Sequence, residues 1–146
     1  MLTKLIPLAL CALFANEAVA CSCLRPDIAR MHDDAEFVVL ARLDGNSISI
    51  GKKKLAFSTI RAFKGEARER IVVWTQTSEA ACGLGTVRGV PYVLFVYRED
   101  DKLIVDHCSS WPLMSAYSRY TTAFNEFYRL DGAEALDSRL DEQAAE

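Results

Sequence analysis

Short apolar runs separated by turn residues dominate the sequence between residues 37 and 105. Residues 37–41 form one such run, and the Asp44, Gly45 and Asn46 that follow predict a turn at the end of a buried strand. Residues 47–50 and the alternating segment 55–63 flank Gly51, which predicts a hairpin. Residues 71–74, 92–97 and 103–105 predict three more strands. Five short strands at this spacing predict a mainly β domain with a small closed sheet.

The apolar period changes to three and four residues after this region. It predicts an amphipathic helix whose apolar side packs on the sheet; its members are Leu113, Tyr117, Tyr120, Phe124, Phe127 and Tyr128. A short helix is expected over residues 27–34, directly after Pro26. Residues 131–146 are rich in acids, and Ala133, Leu136 and Leu140 among them predict a second, weaker helix.

The first twenty residues have the pattern of a signal peptide. Lys4 precedes an apolar run over residues 5–15 that is too short to span a membrane, and the small residues Ala18 and Ala20 fit the cleavage pattern. We therefore expect residues 1–20 to be removed, Cys21 to become the first residue, and the protein to be secreted into an extracellular or periplasmic space. What remains is expected to be one domain over residues 21–130 with an acidic tail over residues 131–146.

Charge and motifs exclude several classes of function. The net charge of the chain is −3, and removal of Lys4 and Glu17 with the signal peptide leaves it unchanged, so no nucleic-acid partner is expected. The three lysines at 52–54 are interpreted as a solvated hairpin edge. No catalytic motif and no phosphate-binding loop is found, so we expect neither an enzyme nor a cofactor.

Four cysteines follow the predicted cleavage site, namely Cys21, Cys23, Cys82 and Cys108, because Cys11 lies in the signal peptide. In an oxidising compartment they predict two disulfides. Cys21 and Cys23 are too close in sequence to pair without strain, so each is expected to bond to Cys82 or Cys108, and the residues alone do not choose between the two arrangements.

The chain resembles the tissue inhibitors of metalloproteinases, in particular their N-terminal, netrin-like domain. The resemblance covers most of residues 21–112 and depends on the leading Cys21, Ser22 and Cys23, the strand at 37–42, the segments 62–65 and 79–83, and Cys108 followed by Trp111 and Pro112. It implies a five-stranded OB-type barrel with flanking helices and the disulfides Cys21–Cys82 and Cys23–Cys108.

The same resemblance implies that the protein inhibits a zinc metalloprotease. The free amine and the carbonyl oxygen of Cys21 would chelate the catalytic zinc, which keeps one open position, and the paired disulfides would hold this terminus rigid. Ser22 would enter the pocket beside the metal, and Cys23, Leu24, Arg25 and Pro26 would run along the cleft. Glu79, Ala80 and Ala81 would flank them.

The chain also departs from that family, which keeps other interpretations open. It has no third disulfide after cleavage, and it lacks the cysteine-rich C-terminal subdomain. One alternative is a lipoprotein acylated at Cys21, and another is a metal site formed by the four cysteines with His32 or His107, although export favours disulfides. A netrin-like module that binds some other exported protein is the third. Ser22 and Leu24 would then be exposed linker residues.

Overall fold

The computed structural model describes residues 21–66 and 68–138, so the predicted signal peptide and residues 139–146 lie outside the described residues. Six strands and two α-helices make up the described fold. The strands are β1 (Phe37–Ser49), β2 (Lys52–Lys64), β3 (Arg70–Gln76), β4 (Pro91–Glu99), β5 (Lys102–Ile104) and β6 (Ser110–Pro112). The helices are α1 (Ile28–Asp34) and α2 (Ser118–Tyr128), and short 3₁₀ helices span Glu79–Ala81, Ser115–Tyr117 and Gly132–Glu134.

Five of the strands pair in a closed ring. The order around the ring is β1, β2, β3, β5 and β4, and β4 returns to β1 through the antiparallel register Phe37↔Val96 to Arg42↔Pro91. β6 extends the sheet beside β4. The joint between β3 and β5 is the narrowest, with one parallel pair, Trp74↔Ile104. The prediction of a mainly β fold with a closed five-stranded sheet is therefore confirmed.

Two apolar clusters lie on opposite faces of β1 and β4. The first fills the ring and contains alternate residues of its strands, such as Phe37, Phe57 and Leu94. The second lies between the outer face and the helices and includes Phe95, Trp111 and Phe124. Because both faces of β1 and β4 are covered, these strands have continuous apolar runs, whereas β3 alternates between buried and exposed positions.

The turn predicted at Asp44, Gly45 and Asn46 is wrong. β1 continues through these residues to Ser49, and the chain reverses only at Ile50 and Gly51. The ladder with β2 shifts its register between Leu43 and Gly45, as at a β-bulge. The Asp44 carboxylate also accepts a hydrogen bond from the Ser58 hydroxyl at 2.8 Å. A residue sequence typical of a turn is thus accommodated inside a long strand.

Helix α1 begins and ends within one residue of its prediction. Asp27 caps it by accepting a hydrogen bond from the Arg30 amide. α2 begins later than predicted, at Ser118, because residues 110–112 form the unpredicted strand β6 and residues 115–117 a 3₁₀ turn. Most of its aromatic stripe packs into the outer cluster, where Phe124 is fully buried. Phe127 is the exception, with 38% of its surface exposed.

Two further expectations are corrected. Lys53 is not solvated, because only 8% of its surface is exposed and its Nζ donates to the Leu84 carbonyl oxygen at 2.8 Å. The tail helix does not form over residues 131–138, where the structure shows only the 3₁₀ turn Gly132–Glu134. Beyond it the backbone of Leu136 forms two hydrogen bonds with the Asn125 side chain of α2, at 2.9 Å each, in place of helical hydrogen bonds. Within the described residues, no helix is long and apolar enough to cross a membrane.

Candidate functional site

Residues 21–26, which precede α1, are attached to two loops of the ring. Cys21 forms a disulfide with Cys82, which follows the 3₁₀ helix Glu79–Ala81, and Cys23 forms one with Cys108, just before β6. The Cα atoms of each pair are 5.2 Å apart, a normal separation for a disulfide. The pairing implied by the family resemblance is therefore confirmed. We call this arrangement of residues 21–23 and their two partner cysteines the N-terminal clasp.

A backbone hydrogen bond adds a third attachment. The Cys21 nitrogen donates to the Ala80 carbonyl oxygen at 3.1 Å. Ala80, which was predicted to lie near Cys21, thus contacts it directly, and the same loop supplies Cys82. Three constraints within three residues fix the position of this segment on the domain.

The loop carrying Cys82 has its own sequence determinants. The Ser78 hydroxyl accepts from the Ala81 amide at 3.3 Å and caps the 3₁₀ turn, and Cys82 ends it in the left-handed region at φ 66°. Gly83 then lies against the backbone, so a Cβ at this position would be 2.7 Å from the Ser78 carbonyl oxygen and closer still to that of Gln76. The Cys-Gly pair of the sequence is therefore explained by a close backbone approach.

The second loop is held by Asp106. One carboxylate oxygen, Oδ1, accepts from the amides of Cys108 and Ser109 at 2.9 and 2.8 Å and from the Ser109 hydroxyl at 2.9 Å. The amide of His107 donates to the carbonyl oxygen of Cys82 at 3.1 Å and so links the two loops directly. Both ends of the clasp are thereby fixed relative to each other.

The residues after Cys21 alternate in exposure. Ser22 and Leu24 are exposed, Leu24 with 88% of its surface, whereas Cys23 and Pro26 are half-buried. Arg25 and Pro26 turn towards α2, where they line an open groove with Phe127. The predicted site residues thus fall into two groups. Residues 21–23 contact the Glu79–Ala81 and Cys108 loops, while residues 25 and 26 border the helices.

A cleft of about 280 Å³ lies beside the clasp. Glu79 and His107 line it together with apolar residues, among them Leu84 and Tyr117. Burial raises the pKa of Tyr117, and the nearby Glu79 carboxylate adds a smaller effect in the same direction. This tyrosine therefore stays neutral at physiological pH.

The favoured interpretation of the sequence gave His107 no role, yet its side chain lies next to three cysteines of the clasp. A ring nitrogen of His107 and the sulfur atoms of Cys21, Cys23 and Cys108 all lie within 4.8 Å of one another. Its Nδ1 is buried and has no hydrogen-bond partner among the residues that the structure describes. The signal that could have found it is its position next to Cys108. With the disulfides formed, these cysteines offer no thiolate ligand.

Comparison with known proteins does not identify the chain. No protein-family model matches it, and no curated protein matches its sequence. The geometry of the clasp is therefore the basis on which a function has to be proposed.

Proposed function

We propose that the mature chain is a secreted inhibitor of zinc endopeptidases that coordinates the protease's zinc through the amine and the carbonyl oxygen of Cys21. The observation that carries the proposal is the threefold attachment of Cys21, by its own disulfide, by that of Cys23 and by the hydrogen bond to Ala80. A terminus held in this way loses little conformational entropy when it binds.

The chemistry of such a terminus suits a catalytic zinc. Amine and carbonyl oxygen of one residue close a five-membered chelate ring, and an α-amine with a pKa near 8 can release its proton at neutral pH to bind a cation. A catalytic zinc offers the open position that they would occupy. A zinc-bound amine keeps two hydrogens, one of which can still be donated to the Ala80 carbonyl oxygen, so chelation is compatible with the hydrogen bond that fixes the nitrogen.

The exposed side chains next to Cys21 supply a second contact region. Ser22 is free to enter a pocket beside the metal, and Leu24 presents an apolar side chain that its own fold leaves 88% exposed. Between them, the Cys23–Cys108 disulfide ties the backbone to the loop before β6. Arg25, Pro26 and the loop residues Glu79, Ala80 and Ala81 are proposed to flank the protease cleft.

The proposal includes the finer fold assignment, an OB-type barrel of the netrin-like kind. A five-stranded ring closed between β1 and β4, with one residue pair between β3 and β5, agrees with the partly open barrel of that fold. Where the metalloproteinase inhibitors have a cysteine-rich subdomain, this chain has α2 packed on the barrel.

The Cys21–Cys82 disulfide also bears on the lipoprotein alternative. Acylation of Cys21 would use the sulfur atom that this bond requires, leave Cys82 unpaired and block the amine. Mass spectrometry of the exported protein tests this point. We expect an N-terminus at Cys21 without a lipid and with four hydrogens fewer than the fully reduced chain.

The decisive experiment compares two oxidised proteins against a panel of zinc endopeptidases. One begins at Cys21, and the other carries one additional alanine before it, which converts the amine into an amide and leaves both disulfides in place. We expect inhibition by the first protein only. Equal thermal unfolding of the two would show that the alanine changed the terminus and not the fold. Chelation by Cys21 is refuted if both inhibit equally or if neither does.

A serine protease serves as the control in this panel. It has no zinc to coordinate, so neither protein should inhibit it. Inhibition that reaches the serine protease would instead favour a general protein-binding module.

A further inference from the structure

Four potential metal ligands lie close together at the N-terminal clasp. They are the sulfur atoms of Cys21, Cys23 and Cys108 and a ring nitrogen of His107, all within 4.8 Å of one another, and all four residues are half-buried. Three sulfurs and one imidazole form a set that structural zinc sites use. In the oxidised protein the disulfides consume the sulfurs, so the set becomes available only when the cysteines are thiols.

The spacing of the sulfurs agrees with tetrahedral coordination. With zinc–sulfur bonds of about 2.3 Å, two sulfurs of a tetrahedral site lie about 3.8 Å apart. The sulfurs of Cys21 and Cys108, which are not bonded to each other, are 3.7 Å apart. The limit of 4.8 Å for the whole group exceeds the ideal by about 1 Å, a distance that side-chain rotation covers once the disulfides are open.

His107 adds a nitrogen ligand to the three sulfurs. Its Nδ1 is buried and has no hydrogen-bond partner among the described residues, so a metal bound there would displace no hydrogen bond that the structure shows. The other histidine, His32, has its Nδ1 2.6 Å from the Tyr128 hydroxyl and is not a member of the group.

We propose that the reduced chain binds one Zn²⁺ through the thiolates of Cys21, Cys23 and Cys108 and the imidazole of His107, with Cys82 outside the site. The thiol form exists before the cysteines are oxidised. It also forms when two equivalents of a dithiol or phosphine reductant each deliver two electrons to one disulfide. Binding then releases three thiol protons to solvent. The metal would hold residues 21–23 on the Cys108 loop without the disulfides.

This site differs from the proposed protease contact. There the amine and carbonyl oxygen of the oxidised chain reach a zinc ion that belongs to another protein, whereas here the sulfurs of the reduced chain hold an ion of their own. Either can be true without the other. Oxidation would expel the ion, because Cys21 would return to Cys82 and Cys23 to Cys108.

Cobalt binding tests the proposal, since Co²⁺ in a tetrahedral thiolate site has strong visible absorption. The chain that begins at Cys21 is fully reduced with a phosphine, kept free of oxygen and titrated with Co²⁺. We expect the bands to saturate at one Co²⁺ per chain and to disappear when Zn²⁺, which binds more tightly, is added. The oxidised protein should show no bands. Their absence from the reduced protein would overturn the proposal.

Matched variants identify the ligands. Cys108→Ser should abolish the tetrahedral bands, and His107→Gln should weaken Co²⁺ binding by more than about tenfold. Cys82→Ser and His32→Gln are the controls, and both should leave the spectrum unchanged. Loss of the bands in Cys82→Ser, or an unchanged spectrum in His107→Gln, contradicts the assignment.

A gain-of-ligand variant covers the case in which these substitutions impair folding. His107→Cys should retain metal binding and move the spectrum towards that of a site with four thiolates. A spectrum identical to that of the wild-type chain would show that position 107 is not a ligand.

Discussion

Replacement of Gly83 by alanine tests the claim that the Cys82 loop is fixed by close backbone approach. The new Cβ would lie 2.7 Å from the Ser78 carbonyl oxygen and 2.8 Å from the carbonyl carbon of Gln76, with its oxygen closer still. Both obstacles are backbone, so no side chain can rotate away. The φ angle of Gly83 is not in the left-handed region, and the cost is therefore steric.

The expected loss of stability arises because the backbone at Gly83 must move away from that of Gln76 and Ser78. Separating the two segments puts two hydrogen bonds at risk, from the Gly83 amide to Ser78 and from the Leu84 amide to Thr75 Oγ1, both at 2.9 Å. At about 1 kcal/mol for each bond and about 1–3 kcal/mol for overpacking, Gly83→Ala should cost about 3–5 kcal/mol. For a domain of this size the melting temperature should fall by about 12–20 °C.

Urea and thermal unfolding of the oxidised proteins measure this loss. Gly45→Ala is the matched control, since Gly45 also has an ordinary φ and a Cβ there would meet nothing within 4 Å. The disulfides are the same in both variants, so the unfolded states are comparable. An unfolding free energy of Gly83→Ala within about 0.5 kcal/mol of the control would refute the close approach as the reason for glycine.

Three further outcomes are expected. Phe124→Ala should cost about 3–5 kcal/mol because this ring is fully buried, whereas Phe127→Ala, at a site 38% exposed, should cost about 1 kcal/mol or less in the same urea titration. The double variant Cys23→Ser/Cys108→Ser opens a loop of 85 residues and should lose about 4 kcal/mol, and a loss below about 1 kcal/mol would contradict the chain-entropy account. Burial raises the pKa of Tyr128 from 10.0 to about 12. The contribution of this group to folding stability is therefore fully present below pH 10 and declines as the pH rises from 10 towards 12. Tyr128→Phe should therefore reduce the loss of stability between about pH 9 and about pH 11, and an unchanged loss would show that this hydroxyl does not titrate with unfolding.

Much of the fold could be predicted because burial leaves a clear pattern. The continuous apolar runs of β1 and β4 reflect coverage on both faces, and the helical spacing that includes Phe124 reflects one covered side. β6 escaped prediction because it has three residues, one of them Pro112, and is recognisable only through its pairing with β4. The burial of Lys53 was missed because it depends on a long-range hydrogen bond to Leu84.

In the candidate site, too, some features could be predicted from the sequence and others could not. The positions of Cys21 and Cys23 in the sequence indicated a tethered terminus, but the pairing with Cys82 and Cys108 required a family resemblance, because counting cysteines leaves two arrangements open. The place of His107 could not be predicted, since it depends on how two distant loops meet. No local pattern encodes the bond from its amide to the Cys82 carbonyl oxygen.

The connectivity of the clasp has a consequence for survival among proteolytic enzymes. Cys21–Cys82 and Cys23–Cys108 span 61 and 85 residues, and the two loops overlap over almost the whole of the shorter one. Any single peptide bond cut between Cys23 and Cys108 therefore leaves two fragments joined by at least one disulfide. Residues 21–23 stay attached after such a cut, and the paired strands of the ring keep their partners close. The two fragments of a nicked molecule would separate only after reduction.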